Sequence, residues 1–356
     1  MKPITVAVLA VLIAADVAVA ASPESPEVWM AVLPVDVLGT ENAEWGYVQR
    51  HLDGLKFWQH QIDGATVEQL RPLVRLLAEH DIDIIIENNP PWPGPVDEGI
   101  GERAAKVEIA RIDKVVQAGG KVAAIDVDGP VRRLFYPEYP SSFAHGNMDI
   151  AWCVRQFIVY MKAVRQAHPH VDFYALTNFP NWGYKGGPAY WGADQDDKQY
   201  NWGDYWPVLQ AIVEMTKEAG VPVRGLTVDN PYDYAIGQVP SPHLKDPTSV
   251  DWVGRLRDME DYVRKQGLEF NVIFNAQTSG GDLSSEQVVG NGSMDQYYKD
   301  TLAFIKLYRE RGGRPDRYII QSWYKHPVAQ EVLPEDKPPS FTALVKEVLE
   351  QVEKPR

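Results

Sequence analysis

The chain has 356 residues, a single cysteine, and 49 acidic against 35 basic side chains, a formal net charge of −14. That balance, with Lys and Arg scattered rather than striped, argues against a nucleic-acid or anionic-membrane partner. The lone Cys153 excludes an intramolecular disulfide and any cysteine-rich zinc or iron–sulfur centre, and its setting in "AWCVRQFIVYM" predicts core packing.

In chain order, Lys2 precedes an apolar run from Ile4 to Ala15, and Ala18-Val19-Ala20 supplies a small-x-small pattern before a cut. Residues 1–20 are therefore expected to be a cleaved export signal, giving a secreted or periplasmic protein without a membrane anchor after cleavage. Residues 21–356 are expected to form one domain. No linker or low-complexity tract divides them.

Eight near-continuous apolar runs follow, at 27–35, 55–63, 82–89, 121–129, 171–179, 223–230, 269–277 and 317–324. Such runs suit strands buried on both faces of a parallel sheet. Between them lie amphipathic stretches: Val67, Leu70, Leu73, Val74 and Leu77 fall at helical spacing, and 102–118, 148–168, 203–219, 250–266, 294–312 and 340–353 read the same way. Eight strands each followed by a helix predict an α/β fold of the (β/α)8 TIM-barrel type, as a single domain with long aromatic-rich βα loops. A doubly wound open sheet fits less well, because its Gly-rich first turn is absent.

Such barrels build their sites at the C-terminal ends of the strands. From the second strand onward, the runs end in Asp63; Glu87 and Asn88; Asp126 and Asp128; Asn178; Asp229 and Asn230; Asn275 and Gln277; and Gln321 and Trp323. Polar residues often mark strand ends, but seven ends in succession predict a convergent site. Asp126 and Asp128, two apart on one strand, point to the same side, and close carboxylates raise one another's proton affinity. The long segment after the fifth strand carries Trp182, Tyr184, Tyr190, Trp191, Trp202 and Tyr205, and "NNPPWPGP" carries Trp92. These rings suit either stacking on sugar faces or a satellite hydrophobic cluster that packs the loop.

Together, an export signal, carboxylates at strand ends, aromatic loops and Trp323 at the eighth strand resemble the (β/α)8-barrel glycoside hydrolases. The resemblance spans the mature chain and lies in architecture and site character. It implies a polysaccharide or oligosaccharide substrate and carboxylate acid/base or nucleophilic catalysis. The candidate catalytic residues are Asp126, Asp128, Asp229 and Glu87. The candidate substrate-binding residues are Asp63, Trp92, Asn178, Trp182, Trp191, Asn275, Gln277, Gln321, Trp323 and Tyr324. Two departures matter. The large retaining clan of these barrels uses a strand-7 glutamate, where this chain has Asn275 and Gln277. The chitinase-like barrels end their strand-4 motif in glutamate, where this chain has Pro130.

No cofactor is expected, although Asp126, Asp128 and Asp229 are also an oxygen set of the kind Mg²⁺ or Ca²⁺ takes. His60, His145 and His326 read as surface or hydrogen-bonding residues. Two other functions compete: a polysaccharide lyase, which needs a cation against the uronate and finds no Arg or Lys at the strand ends, and a barrel that only binds carbohydrate.

Overall fold

The computed structural model describes residues 25–33, 35–89, 92–135, 149–190, 202–241, 244–276, 292–322 and 325–352. Eight parallel strands close into one barrel in sequence order: β1 (Glu27–Val32), β2 (Gly54–Trp58), β3 (Asp83–Asn88), β4 (Val122–Asp128), β5 (Asp172–Asn178), β6 (Gly225–Asp229), β7 (Glu269–Phe274) and β8 (Arg317–Ser322). Closure is made by β1 against β8, in register from Glu27↔Arg317 to Val32↔Ser322. The expected barrel is therefore the observed one.

The helices lie where hydrophobic period and capping chemistry put them. Thr66 opens the helix Val67–Glu79: its hydroxyl accepts from the Gln69 backbone N–H at 3.2 Å, and the Gln69 side chain accepts from Thr66 N at 2.7 Å. This reciprocal pair satisfies two otherwise unpaired donors. Asp149, Asp204, Asp251 and Ser293 cap the helices Ile150–Ala167, Tyr205–Glu218, Trp252–Lys265 and Met294–Glu310 in the same spirit. Among the described residues, no helix is long and apolar enough to cross a membrane.

One strand differs from expectation. The run 55–63 is split, because β2 stops at Trp58 and Gln59–Gly64 is helical. Gln61 causes the break. Its side-chain oxygen accepts from Trp58 N at 2.9 Å, and its amide donates to the carbonyls of Val32 and Leu33 at 3.0 and 2.8 Å. The chain is thereby turned off the sheet before Asp63.

Side chains alternate between the barrel interior and the helix layer. Trp29, Ile85, Ala124, Tyr174, Leu176, Ile273 and Ile319 form a separate buried cluster inside the barrel. Gly54 makes room for it, since a Cβ there would lie 2.5 Å from Ile85 and 2.6 Å from Trp29. Below the cluster, Arg317 pairs with Glu27 at 2.7 Å and with Glu269, which also accepts from Tyr174 at 2.8 Å and from Arg224 at 2.8 Å. The guanidinium lies over the rings of Trp29 and Tyr174, 4.7 and 5.0 Å from their centroids. This end of the barrel is filled, and Arg317, Glu27 and Glu269 are paired there. Outside, the helices bury the larger core, which includes Cys153. Burial pushes its thiol up to about 12, so it is a packing residue and not a nucleophile.

Candidate active site

The inward positions above the interior cluster belong to polar side chains. On β2 the phase that places Gly54 inward also places Lys56 and Trp58 inward. On β3, β4, β6 and β7 it selects Glu87, Asp126 with Asp128, Asp229 and, one residue beyond the strand, Asn275.

Lys56 is the centre of one half of this group. Its ammonium is 2.7 Å from Glu87 Oε2 and 2.8 Å from Asp126 Oδ2, so one cation bridges three adjacent strands. Burial works against the ammonium, yet the two carboxylates outweigh it and raise its pKa above the ordinary lysine value. Trp58 Nε1 donates to the other Glu87 oxygen at 3.0 Å. The Glu87 carboxyl is pushed up by burial and by repulsion from Asp126 and Asp128, against the pull of Lys56. Glu87 keeps 14% of its side chain exposed, whereas Asp126 keeps none.

Asp128 and Asp229 form the other half. Arg133, in the short helix Arg132–Phe135 after β4, donates to Asp128 Oδ2 at 2.9 Å and to Asn89 Oδ1 at 2.6 Å. Arg132 lies 3.7 Å from the same carboxylate and covers the Trp202 ring at 4.0 Å. Asp128 is 18% exposed. Asp229 is buried, and Asn275 Nδ2 donates to its Oδ1 at 3.0 Å. Burial first, then the negative charges of Glu87 and Asp128, raise the Asp229 carboxyl from 3.8 to about 7. The two aspartates lie one strand apart from each other, since β4 pairs with β5 and β5 with β6.

The structure thus brings together Glu87, Asp126, Asp128, Asp229 and Asn275. It also revises how they work. Asp126 is paired with Lys56, which it shares with Glu87, and Asp128 with Arg133; the carboxyl raised to about 7 is Asp229. Asp126 is sealed beneath the group with Lys56 as partner, a supporting place rather than one facing a ligand. Gln321 is buried at the inward position of β8, with no partner for its side-chain oxygen among the described residues. Asn178 ends β5 opposite Asp229 and borders a narrow cavity with Trp182 and Trp202.

Three expected substrate residues sit elsewhere. Asp63, in the helix Gln59–Gly64, is held by Arg111 through two bonds of 2.9 and 2.8 Å on the outside of the barrel, because β2 ended five residues earlier. Trp92 is 1% exposed and packs edge-on against Tyr160 at 6.4 Å. Trp182 is 2% exposed, wedged between Trp202 at 5.6 Å and Tyr205 at 5.3 Å. Neither ring offers a free face for a sugar; both pack loops onto the barrel, as a satellite hydrophobic cluster does. Trp191, Gln277, Trp323 and Tyr324 lie outside the described residues, as do His145 and the expected signal at 1–20.

Lys56, Trp58, Arg132 and Arg133 stand outside the expected set: Lys56 is in mid-strand, Trp58 ends a strand expected to run to Asp63, and Arg132 and Arg133 follow β4 in a short helix. Lys56 left a signal: it is a basic residue in the middle of an apolar strand, in phase with the interior. It also removes the premise that cations are absent, and it limits the cation set considered above, since Asp126 is already committed to an ammonium. Among the described residues, no group of three or more His, Cys, Asp or Glu side chains is arranged to hold a metal ion.

No family profile matches the chain, and no curated protein does. Solved structures do. A glucosidase from Croceicoccus marinus aligns over 91% of this chain and 67% of its own, with 10% identity and a TM-score of 0.50. A psychrophilic glycoside hydrolase family 10 endo-β-1,4-xylanase aligns over 90% of this chain and 96% of its own, with 11% identity and a TM-score of 0.51. The likeness is one of fold. At these identities it shows a (β/α)8 barrel, and it assigns no residue a role.

Proposed function

We propose that this protein is an exported glycoside hydrolase acting on a polysaccharide or oligosaccharide, with Asp229 as general acid and Asp128 as its anionic partner. One observation carries this reading: a buried carboxyl held near neutrality faces an ion-paired carboxylate across one strand of the barrel mouth. Glycosidic cleavage requires such a division of labour, one carboxyl to protonate the leaving oxygen and one carboxylate on the other side of the bond. Asp229 gives its proton to the glycosidic oxygen as the bond to the anomeric carbon breaks, Asp128 supports the positive charge that develops on the ring, and water then bonds to the anomeric carbon, its released proton restoring Asp229. Arg133 fixes where Asp128 points, and Asn275 fixes Asp229. Glu87 borders both.

A lyase is disfavoured by the way the cations are used. Lys56 is enclosed by two carboxylates and Arg133 by Asp128 and Asn89, so each is already committed to a protein oxygen.

The test is release of reducing ends by the mature chain over a polysaccharide panel, beside Asp128→Asn and Asp229→Asn. Each variant is expected to fold and to lose ~100-fold or more in kcat, the range for a removed acid or base. A product absorbing in the near ultraviolet would instead mark a lyase. Binding without turnover on every substrate would mark a carbohydrate-binding barrel.

A further inference from the structure

Glu87 is the mouth carboxylate to which the reaction scheme gives no task. Each of its oxygens already has a donor: Trp58 Nε1 at 3.0 Å on Oε1, and the Lys56 ammonium at 2.7 Å on Oε2. Both donors come from β2, where Trp58 is paired in register with Glu87. Neither is free to leave. Lys56 is fully buried between Glu87 and Asp126, and Gln61 holds the Trp58 backbone N–H at 2.9 Å.

A buried ion triad has a large desolvation cost, and apolar side chains of similar volume would pack the interior as well or better. The layer beneath is filled in that way, by Ile85, Ala124, Ile273 and Ile319. What the triad adds is a carboxylate fixed in place. The two N–H donors set its position and its plane, and they favour the ionised form against the burial that opposes it. The arrangement suits an acceptor rather than a second acid.

Asp126 shares the ammonium but is sealed, whereas Glu87 keeps 14% of its side chain open. An ionised carboxylate has about four lone-pair directions, and the two donors occupy only part of them. The rest can be met only by a donor from water or a ligand. Glu87 is paired in register with Asp126, and Asp128, two residues further along β4, is also partly open. A ring lying against Asp128 therefore has Glu87 beside it, one strand away.

We propose that Glu87 is a specificity-determining residue: it accepts a hydrogen bond from one hydroxyl of the sugar ring that lies against Asp128, and Lys56 and Trp58 position it for that contact. The placement of the ring rests on the hydrolase reading. The substrate class that follows is a sugar with a free hydroxyl at that position. A carboxylate, a sulfate ester or an ether there would set an acceptor against an acceptor.

The probes are 4-nitrophenyl oligosaccharides of xylose, glucose, mannose and galactose, each beside analogues lacking one hydroxyl of the ring next to the cleaved bond. In the wild type, loss of one particular hydroxyl is expected to lower kcat/KM by ~10–100-fold, the range for a hydrogen bond to a charged group. Glu87→Gln is expected to lower the parent sugar by a similar factor and that analogue far less, so that the two converge. The same loss on the parent and on every analogue overturns the proposal, because a proton-transfer role or a merely structural one would give that result. Should Glu87→Gln not fold by circular dichroism, the indole N–H resonance of Trp58 in the slow variant Asp229→Asn decides, assigned from Trp58→Phe. It is expected to move on saturation with the parent and to stay in place with that analogue; an equal response to both overturns the proposal. If sugars bind without turnover, the hydrolase reading fails, and the same comparison of dissociation constants judges Glu87. A chain that neither cleaves nor binds any probe overturns both.

Discussion

Replacing Asp229 by Asn separates the stability cost of the site from its chemistry. In the unfolded chain an aspartate ionises near 3.8, whereas burial and the facing charges of Glu87 and Asp128 place the folded value at about 7. At about 1.4 kcal/mol per decade of proton affinity, ionising Asp229 in the folded protein costs ~4 kcal/mol more than in the unfolded chain. Because the folded value is raised, the cost is absent below the unfolded value, grows as pH rises from about 4 to 7, and is complete above that. Asn never ionises, fits the same volume, and can still accept from Asn275. Asp229→Asn should therefore match the wild type near pH 4 and exceed it by up to ~4 kcal/mol at pH 8, while losing turnover. Guanidinium unfolding of both proteins at pH 4, 6 and 8, with the slopes checked for equality, measures this directly. A difference that does not change with pH, or a variant less stable at pH 8, would refute the argument that this carboxyl is held against its ionisation.

Two further outcomes follow from parts of the fold away from the mouth. Arg317→Met leaves Glu269 with Arg224 and Tyr174 as its remaining partners and should cost ~1.5–3 kcal/mol in unfolding free energy, read by guanidinium unfolding. Trp182→Ala should cost ~3–5 kcal/mol by opening a cavity between Trp202 and Tyr205. Calorimetric affinity for any sugar that the wild type binds should stay the same, and a tenfold loss of affinity with intact stability would return Trp182 to the substrate face.

The barrel was legible because its strands are buried on both faces. Runs such as Ile84-Ile85-Ile86 and Val122 to Ile125 leave no other economical fold, and the helices between them announce themselves through caps such as Thr66 with Gln69. The carboxylates were legible for the same reason: Glu87, Asp126, Asp128 and Asp229 interrupt apolar runs where nothing local requires a charge. Pairing was not legible. Which cation serves which carboxylate depends on strands that meet only in space, as Lys56 does with Asp126, 70 residues away. Asp63 was misplaced because a single side chain, Gln61, turned the chain early, and strand length on one apolar run cannot report that. The aromatic residues posed the hardest ambiguity. A ring stacked on sugar and a ring packed under a loop have the same composition, and only burial tells Trp92 and Trp182 apart from a platform.

The filled lower end of the barrel has a consequence for traffic. Trp29, Tyr174 and Arg317 close the floor, so a ligand held at the polar end of the barrel enters and leaves on the same side. A polymer can lie across such an opening or insert an end into it, but it cannot be threaded through. On the hydrolase reading, product leaves on the side where substrate arrives, so departure competes with arrival. Crowding by short reaction products, rather than passage along a track, would set the pace of a long digestion.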